Sequence, residues 1–212
     1  MSYIEQLFSL ESKVAIVTGT SRGIGKAVAY GMSLAGAKVY GLSRSTKKSE
    51  ETPGIHYISC DITQMEHLET VVNRVYEESS KIDILVNIAG ITLPDDTLSL
   101  DSKAKTFDQT FDVNVKAPFY LIHLVSEYMK QNAKGSIINF TSIAAESGFP
   151  GNPSYVSSKG ALKMLSKAFA EDLSPYGIRV NSIAPGYIHT DLTTKSYHEK
   201  TAYERRKRNT ML

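Results

Sequence analysis

The sequence predicts an α/β protein: a doubly wound parallel sheet with helices on both faces, formed as a single domain over residues 1–212. Three observations predict it. Short apolar runs alternate with amphipathic stretches along the chain, the β-α-β-α order that builds a parallel sheet. The first of these runs is apolar without alternation, as in a strand covered on both faces. The length of 212 residues, with 42% hydrophobic and 22% charged content, suits one sizeable core rather than two.

The elements follow in order. "VAIVTG" (14–19) is a buried first strand that ends in a glycine turn. After it, Ile24, Ala27, Val28, Gly31, Leu34 and Ala35 recur at helical spacing. Gly31 is a weak helix former, costing about 1 kcal/mol against alanine, so close helix–sheet packing is the expected reason for it. "AKVYGLS" (37–43) and "IHYISC" (55–60) are the second and third strands. Asp61 or Thr63 is placed to cap a helix over 64–79. "IDILVNIAG" (82–90) is a fourth strand that runs into a loop, and a helical region over 101–131 follows, kinked near Pro118. "GSIINFTS" (135–142) is the fifth strand. A helix over 154–173 stops at "SPYG", and "IRVNSIAPG" (178–186) is the sixth strand and its turn.

Composition narrows the function classes. A net charge of +2 gives no global reason for a nucleic-acid or membrane partner. The one cysteine, Cys60, leaves no disulfide within the chain and suits a reducing compartment. It follows an apolar-rich stretch and is expected to be buried. The start has no basic n-region, no run reaches the length of a membrane span, and the five histidines show no metal-ligand spacing. The expectation is a cytoplasmic enzyme or binding domain without a metal.

Two constellations carry chemistry. "TGTSRGIG" (18–25) sets Gly19, Gly23 and Gly25 between a strand and a helix. A sharp turn, close backbone approach and the free N–H groups of a helix N-terminus suit a pyrophosphate. "PSYVSSK" sets Tyr155 four residues before Lys159, one above the other on a helix. A free phenol titrates near about 10, too high for efficient acid/base work near neutrality. Lowering it by about three units needs ~4 kcal/mol, and one exposed i,i+4 partner supplies a few tenths of that. The pair therefore has meaning only inside a cofactor pocket.

The glycine turn resembles the T-G-x-x-x-G-I-G motif of the short-chain dehydrogenase/reductase family. "CDIT" (60–63), "NIAG" (87–90), "FDVNVKAPF" (111–119), "NFTS" (139–142), "YVSSK" (155–159) and "RVNSIAPGYIHT" (179–190) follow in the family's order. The resemblance covers residues 10 to 195 and implies a Rossmann-type fold. It further implies an oxidoreductase that moves a hydride between a nicotinamide and a carbonyl or secondary alcohol of a small-molecule substrate, of the 3-oxoacyl-carrier-protein or sugar-alcohol kind. Carried over position by position, Tyr155 is the acid/base, Ser142 holds the substrate oxygen, Lys159 bonds the nicotinamide ribose, and Asn114 supports a water that links Lys159 to solvent. Ser21, Arg22 and Ile24 join the three glycines in holding the cofactor. Asp61 and Ile62 flank the adenine. Asn87, Ala89 and Gly90 lie along the ribose and sheet edge, with Ile88 where the family often has a second asparagine. Pro185, Gly186, Ile188 and Thr190 hold the nicotinamide carboxamide.

At the end of the second strand an acidic residue would favour NAD(H). Ser43 stands there instead, followed by Arg44, and Arg22 sits in the glycine turn. Two guanidinium groups suit a ribose 2′-phosphate, so NADP(H) is expected over NAD(H). Lys47 and Lys48 add positive potential nearby. Ile91, Leu93, Gly148, Phe149, Asn152, Tyr187 and His189 are expected to line the substrate pocket. Residues 187–212 form its lid, and "ERRKR" (204–208) is the lid's polar face or, alternatively, a seat for an anionic carrier or phosphate. The family continues beyond a lid to a further helix and strand. This sequence stops first, which predicts a sheet lacking its final C-terminal strand, an exposed edge, and doubt over both activity and assembly as a homo-tetramer or homo-dimer. A cofactor-binding sensor or scaffold without turnover is the alternative. A nucleic-acid module using residues 205–208 is opposed by the net charge of +2.

Overall fold

A computed structural model describes residues 3–45, 52–93, 99–191 and 193–209. Lys47 and Lys48 lie outside the described residues, as does the end of the expected lid. Six strands make one parallel sheet: β1 (Val14–Thr18), β2 (Lys38–Ser43), β3 (Ile55–Ser59), β4 (Ile84–Asn87), β5 (Gly135–Phe140) and β6 (Ile178–Ile183). Their order across the sheet is β3-β2-β1-β4-β5-β6. The order reverses between β1 and β4, and such a switch point opens a crevice at the carboxyl ends of the strands.

The pleat sorts the core into two layers. Val14 and Ile16 of β1 and Tyr40 and Leu42 of β2 face one cluster. It is completed by α3 (Met65–Ser79), α5 (Ala117–Gln131) and α6 (Pro153–Leu173), through Leu68, Val72, Leu121, Met129 and Phe169. Ala15, Val17 and Val39 face the other, against Ala29 of α2 (Gly23–Leu34). Cys60 is buried, as expected, and burial pushes its thiol up to about 11, which makes it unreactive. Among the described residues β6 is an edge strand. Ile178 and Val180 are buried on one face, whereas Ile183 is 45% exposed.

Several expectations need correction. The helical region over 101–131 is three pieces: α4 (Leu100–Phe111), a π turn at Asp112–Lys116, and α5. The interruption is the π turn, which ends two residues before Pro118 in a backbone that stays helical on both sides. Neither Asp61 nor Thr63 caps α3. Gln64 holds the cap position without a side-chain bond, and Asp61 instead accepts from the backbone and hydroxyl of Thr63. Gly31 is exposed, and a methyl group there would meet nothing within 4 Å, so close packing does not explain it. Strands β4 and β6 stop short of the apolar runs that contain them, at Asn87 and Ile183, where the chain leaves the sheet. Three short helices, α1 (Tyr3–Phe8), α7 (Thr194–His198) and α8 (Lys200–Asn209), flank the domain.

Candidate active site

The glycine turn is built as its composition requires. Gly19 has φ +76°, and a Cβ there would lie 2.9 Å from the Ala89 Cα. A Cβ on Gly25 would land on the Gly19 carbonyl oxygen. The turn and the loop after β4 are thus in backbone contact. Thr18, the first residue of the glycine motif, ties them further: its Oγ1 accepts from the N–H groups of Ile88 and Ala89, each at 3.0 Å. Arg22 precedes α2 with no side-chain cap bond, so the N–H groups of the first helical turn face the crevice without a side-chain partner.

A cleft of about 580 Å³ runs along the carboxyl ends of the strands. Gly19, Ser21, Arg22, Gly23, Ile24 and Gly25 form its floor. Ser43, Arg44, Asp61 and Ile62 form one end, and Ala89, Gly90, Ile91, Leu93 and Thr190 the other. No carboxylate stands at the end of β2, where the Ser43 hydroxyl donates to the Ser45 carbonyl at 3.0 Å. The Asp61 carboxyl is held below its ordinary range, first by the Thr63 N–H and hydroxyl and then by the Arg44 and His67 charges. Cys60, Gln109, Asp112 and Val113 also line the cleft. Cys60, Asp112 and Val113 lie within the motifs quoted above but carried no assigned role there, and Gln109 lies in none of them.

Not every expected residue reaches this cleft. Asn87 is 2% exposed and lies behind it, donating to the Asn139 Oδ1 at 2.8 Å. Pro185 and Ile188 line a neighbouring apolar groove against α2, and Gly186 lines neither.

Beside Gly90 the four expected catalytic side chains converge. Ser142 leaves β5 in extended conformation and accepts from the Ala144 N–H at 3.1 Å. Its hydroxyl lies near enough to the Tyr155 phenol to act on its titration. Burial pushes the phenol above its ordinary range, and Ser142 partly offsets that rise. Lys159 is 4% exposed; its Nζ donates to the Phe140 carbonyl at 2.8 Å and lies 5.8 Å from the Tyr155 ring centroid. Burial pushes its pKa down to about 8. A Cβ on Gly90 would lie 3.3 Å from the Asn114 Oδ1 and 3.4 Å from the Lys159 Nζ, so both groups pack closely against the Gly90 backbone.

Asn114 occupies the π turn and is fully buried. Its Oδ1 accepts from the Ile91 N–H at 2.9 Å, and its Nδ2 donates to the Ile91 carbonyl and the Ser158 Oγ, both at 3.0 Å. The Ser158 hydroxyl in turn donates to the Tyr155 carbonyl at 2.7 Å. Asn114 therefore joins the loop after β4 to the helix that carries Tyr155 and Lys159. Such single-turn π segments recur at functional sites.

The family described as short chain dehydrogenase matches residues 13–201. A 3-oxoacyl-(acyl-carrier-protein) reductase of Thermotoga maritima is 35% identical over 88% of this chain and 78% of that enzyme. A 2-dehydro-3-deoxy-D-gluconate 5-dehydrogenase of Pseudoalteromonas atlantica is 36% identical over 88% of this chain and 76% of its own length. Among solved structures, a gluconate 5-dehydrogenase of Burkholderia cenocepacia in complex with NADP and tartrate superposes with a TM-score of 0.87 at 28% identity, covering 96% of this chain and 82% of that one.

Proposed function

Since the chain belongs to the short-chain dehydrogenase family, oxidoreductases acting on CH–OH and C=O groups, we propose that it is an NADP(H)-dependent carbonyl reductase or alcohol dehydrogenase with Tyr155 as its acid/base. The observation that carries the reading is the convergence of buried side chains beside Gly90, where the Lys159 Nζ lies 5.8 Å from the Tyr155 ring centroid and the Asn114 amide ties the Tyr155 helix to the cleft wall.

The cleft fits a dinucleotide. Its glycine floor gives backbone access, the uncapped first turn of α2 offers N–H groups to a pyrophosphate, and its ends stand ready for an adenosine and a nicotinamide. When bound, the nicotinamide supplies the hydride. Arg22 on the floor and Arg44 at the adenosine end line the same cleft, with no carboxylate on β2, which suits a 2′-phosphate. The NADP held by the Burkholderia neighbour supports the same choice.

The chain's own residues move the proton. Ser142 and Tyr155 together present two hydroxyls to one carbonyl oxygen, which orients the carbonyl and stabilises charge developing there. Tyr155, held up by burial, keeps its proton at neutral pH and can donate it to the reduced oxygen. The Lys159 ammonium then stabilises the phenolate left behind. Asn114 fixes the spacing between the cleft wall at Ile91 and the Tyr155 helix through its three bonds.

A carbonyl panel assayed with each cofactor tests the reading. Consumption of NADPH in preference to NADH is expected, and Arg44→Ala should weaken NADPH binding roughly tenfold or more while leaving NADH within about twofold. Equal losses for both cofactors would end the 2′-phosphate argument.

A further inference from the structure

The end of the cleft at Asp61 and Ile62 has a second wall. Helices α3 and α5 each lead from the carboxyl edge of the sheet back to the start of the next strand. Tyr76 and Tyr128 stand at the same position counted from the first residues of these helices. Their rings stack at 4.1 Å, and the Tyr128 hydroxyl donates to the Asn73 Oδ1 at 2.7 Å. The two helices therefore lie side by side and parallel, with their N-terminal ends level at the cleft. The turn that enters α3 and the π turn that enters α5 are thus neighbours. Asp61, Ile62 and Thr63 line the cleft from the first, and Gln109, Asp112 and Val113 line it from the second.

The polar groups around this end differ in what they offer a ligand. Arg44 is a cation. The Asp61 carboxylate only accepts, and it already takes the Thr63 N–H and hydroxyl. The Asp112 carboxylate takes the Lys116 ammonium at 2.6 Å. Gln109 is the one side-chain amide among the described residues that line the cleft. It is exposed, and no hydrogen bond among the described residues occupies it. An amide carries a donor and an acceptor side by side. That pair matches the exocyclic amino group and the adjacent ring nitrogen of adenine, the pairing by which glutamine reads adenine in nucleic acids. A phosphate calls instead for a cation.

We infer that Gln109 is a cofactor-binding residue that reads the adenine edge of the dinucleotide. Its carbonyl accepts from the exocyclic amino group, and its NH₂ donates to the ring nitrogen beside that group. The inference rests on the reading that the cleft holds a dinucleotide with its adenosine beside Asp61 and Ile62. A ribose hydroxyl in the same place would also bond an amide, but that contact would not distinguish one purine from another.

The test compares the wild type with Gln109→Met, which keeps the length of the side chain and removes both polar groups. Each protein is titrated with NADPH and with its hypoxanthine analogue, in which an oxygen replaces the exocyclic amino group. Binding is read from the nicotinamide fluorescence, without turnover. The wild type should hold NADPH roughly tenfold or more tighter than the analogue. Gln109→Met should lose about tenfold toward NADPH and less than about threefold toward the analogue. Equal losses toward both would mean a sugar contact, and an unchanged preference would leave the reading of adenine to Asp61; either result overturns the inference. Calorimetry with adenosine 2′,5′-bisphosphate, which lacks the nicotinamide half, gives a second readout. A loss of about tenfold in Gln109→Met supports the site, and equal binding by both proteins overturns it. Failure of the underlying reading looks different. A wild type that binds neither dinucleotide removes the cofactor cleft and this inference with it, whereas one that binds both equally well overturns the role of Gln109 alone.

Discussion

Lys159 keeps its ammonium out of water with one carbonyl as its hydrogen-bond partner, and burial sets its pKa near 8 against an ordinary 10.5. The sign of the consequence is fixed. Between pH 8 and 10.5 the unfolded chain holds a proton that the folded chain has lost, so stability rises with pH across that window. Below it both states are charged and the full cost of burial remains. Subtracting Lys159→Met isolates this contribution. Urea denaturation should show the wild type gaining on the order of 3 kcal/mol relative to the variant between pH 7.5 and 10.5. A difference that does not change with pH would mean that the ammonium is not desolvated. This residue was legible as one of a pair, because the i,i+4 spacing and the motif name it. Its neighbour was less so. The phenol sits above its ordinary range, not below it, because burial of the ring outweighs the influence of Ser142. Spacing along a helix carries no information about how deeply that helix is buried.

At the scale of elements, the parts that hold the site are the ones that interrupt regular structure. The π turn between α4 and α5 lets Asn114 bond both backbone groups of Ile91. Apolar periodicity reads straight through it as one helix kinked at a proline, since an inserted residue leaves the apolar pattern on either side intact. Asn114 was found through its motif, while its partner Ser158 was not, because a serine on a helix has no signature. The caps were misread for a related reason: Asp61 and Thr63 bond each other and leave α3 to begin at Gln64 unaided. On α2, Gly31 weakens a helix without repaying it in packing. Gly31→Ala should therefore raise stability by about 0.5–1 kcal/mol, seen as a higher urea midpoint with unchanged m-value. A lower midpoint would show that the exposed face of α2 needs the bare backbone.

For the whole molecule, the sheet order explains why residues from position 18 to position 190 share one edge. Reversal between β1 and β4 opens the crevice, and the loops leaving five strands all face it. That much follows from the β-α-β-α order and was legible in the chain. The turning inward of Arg206 within a run of like charges was not, because it depends on how α8 packs against Tyr187 and Tyr197. The edge at β6 and the exposed Ile183 agree with a sheet lacking a further strand among the described residues. The chain spans 76% and 78% of the lengths of the two relatives named above. The central claim concerns the proton, and one measurement addresses it most directly: the single-turnover rate of NADPH oxidation by a carbonyl substrate, at matched NADPH occupancy, in the wild type and in Tyr155→Phe. The account predicts a loss of roughly 1,000-fold or more with NADPH affinity within about twofold of the wild type. A variant that turns over at the wild-type rate would contradict it.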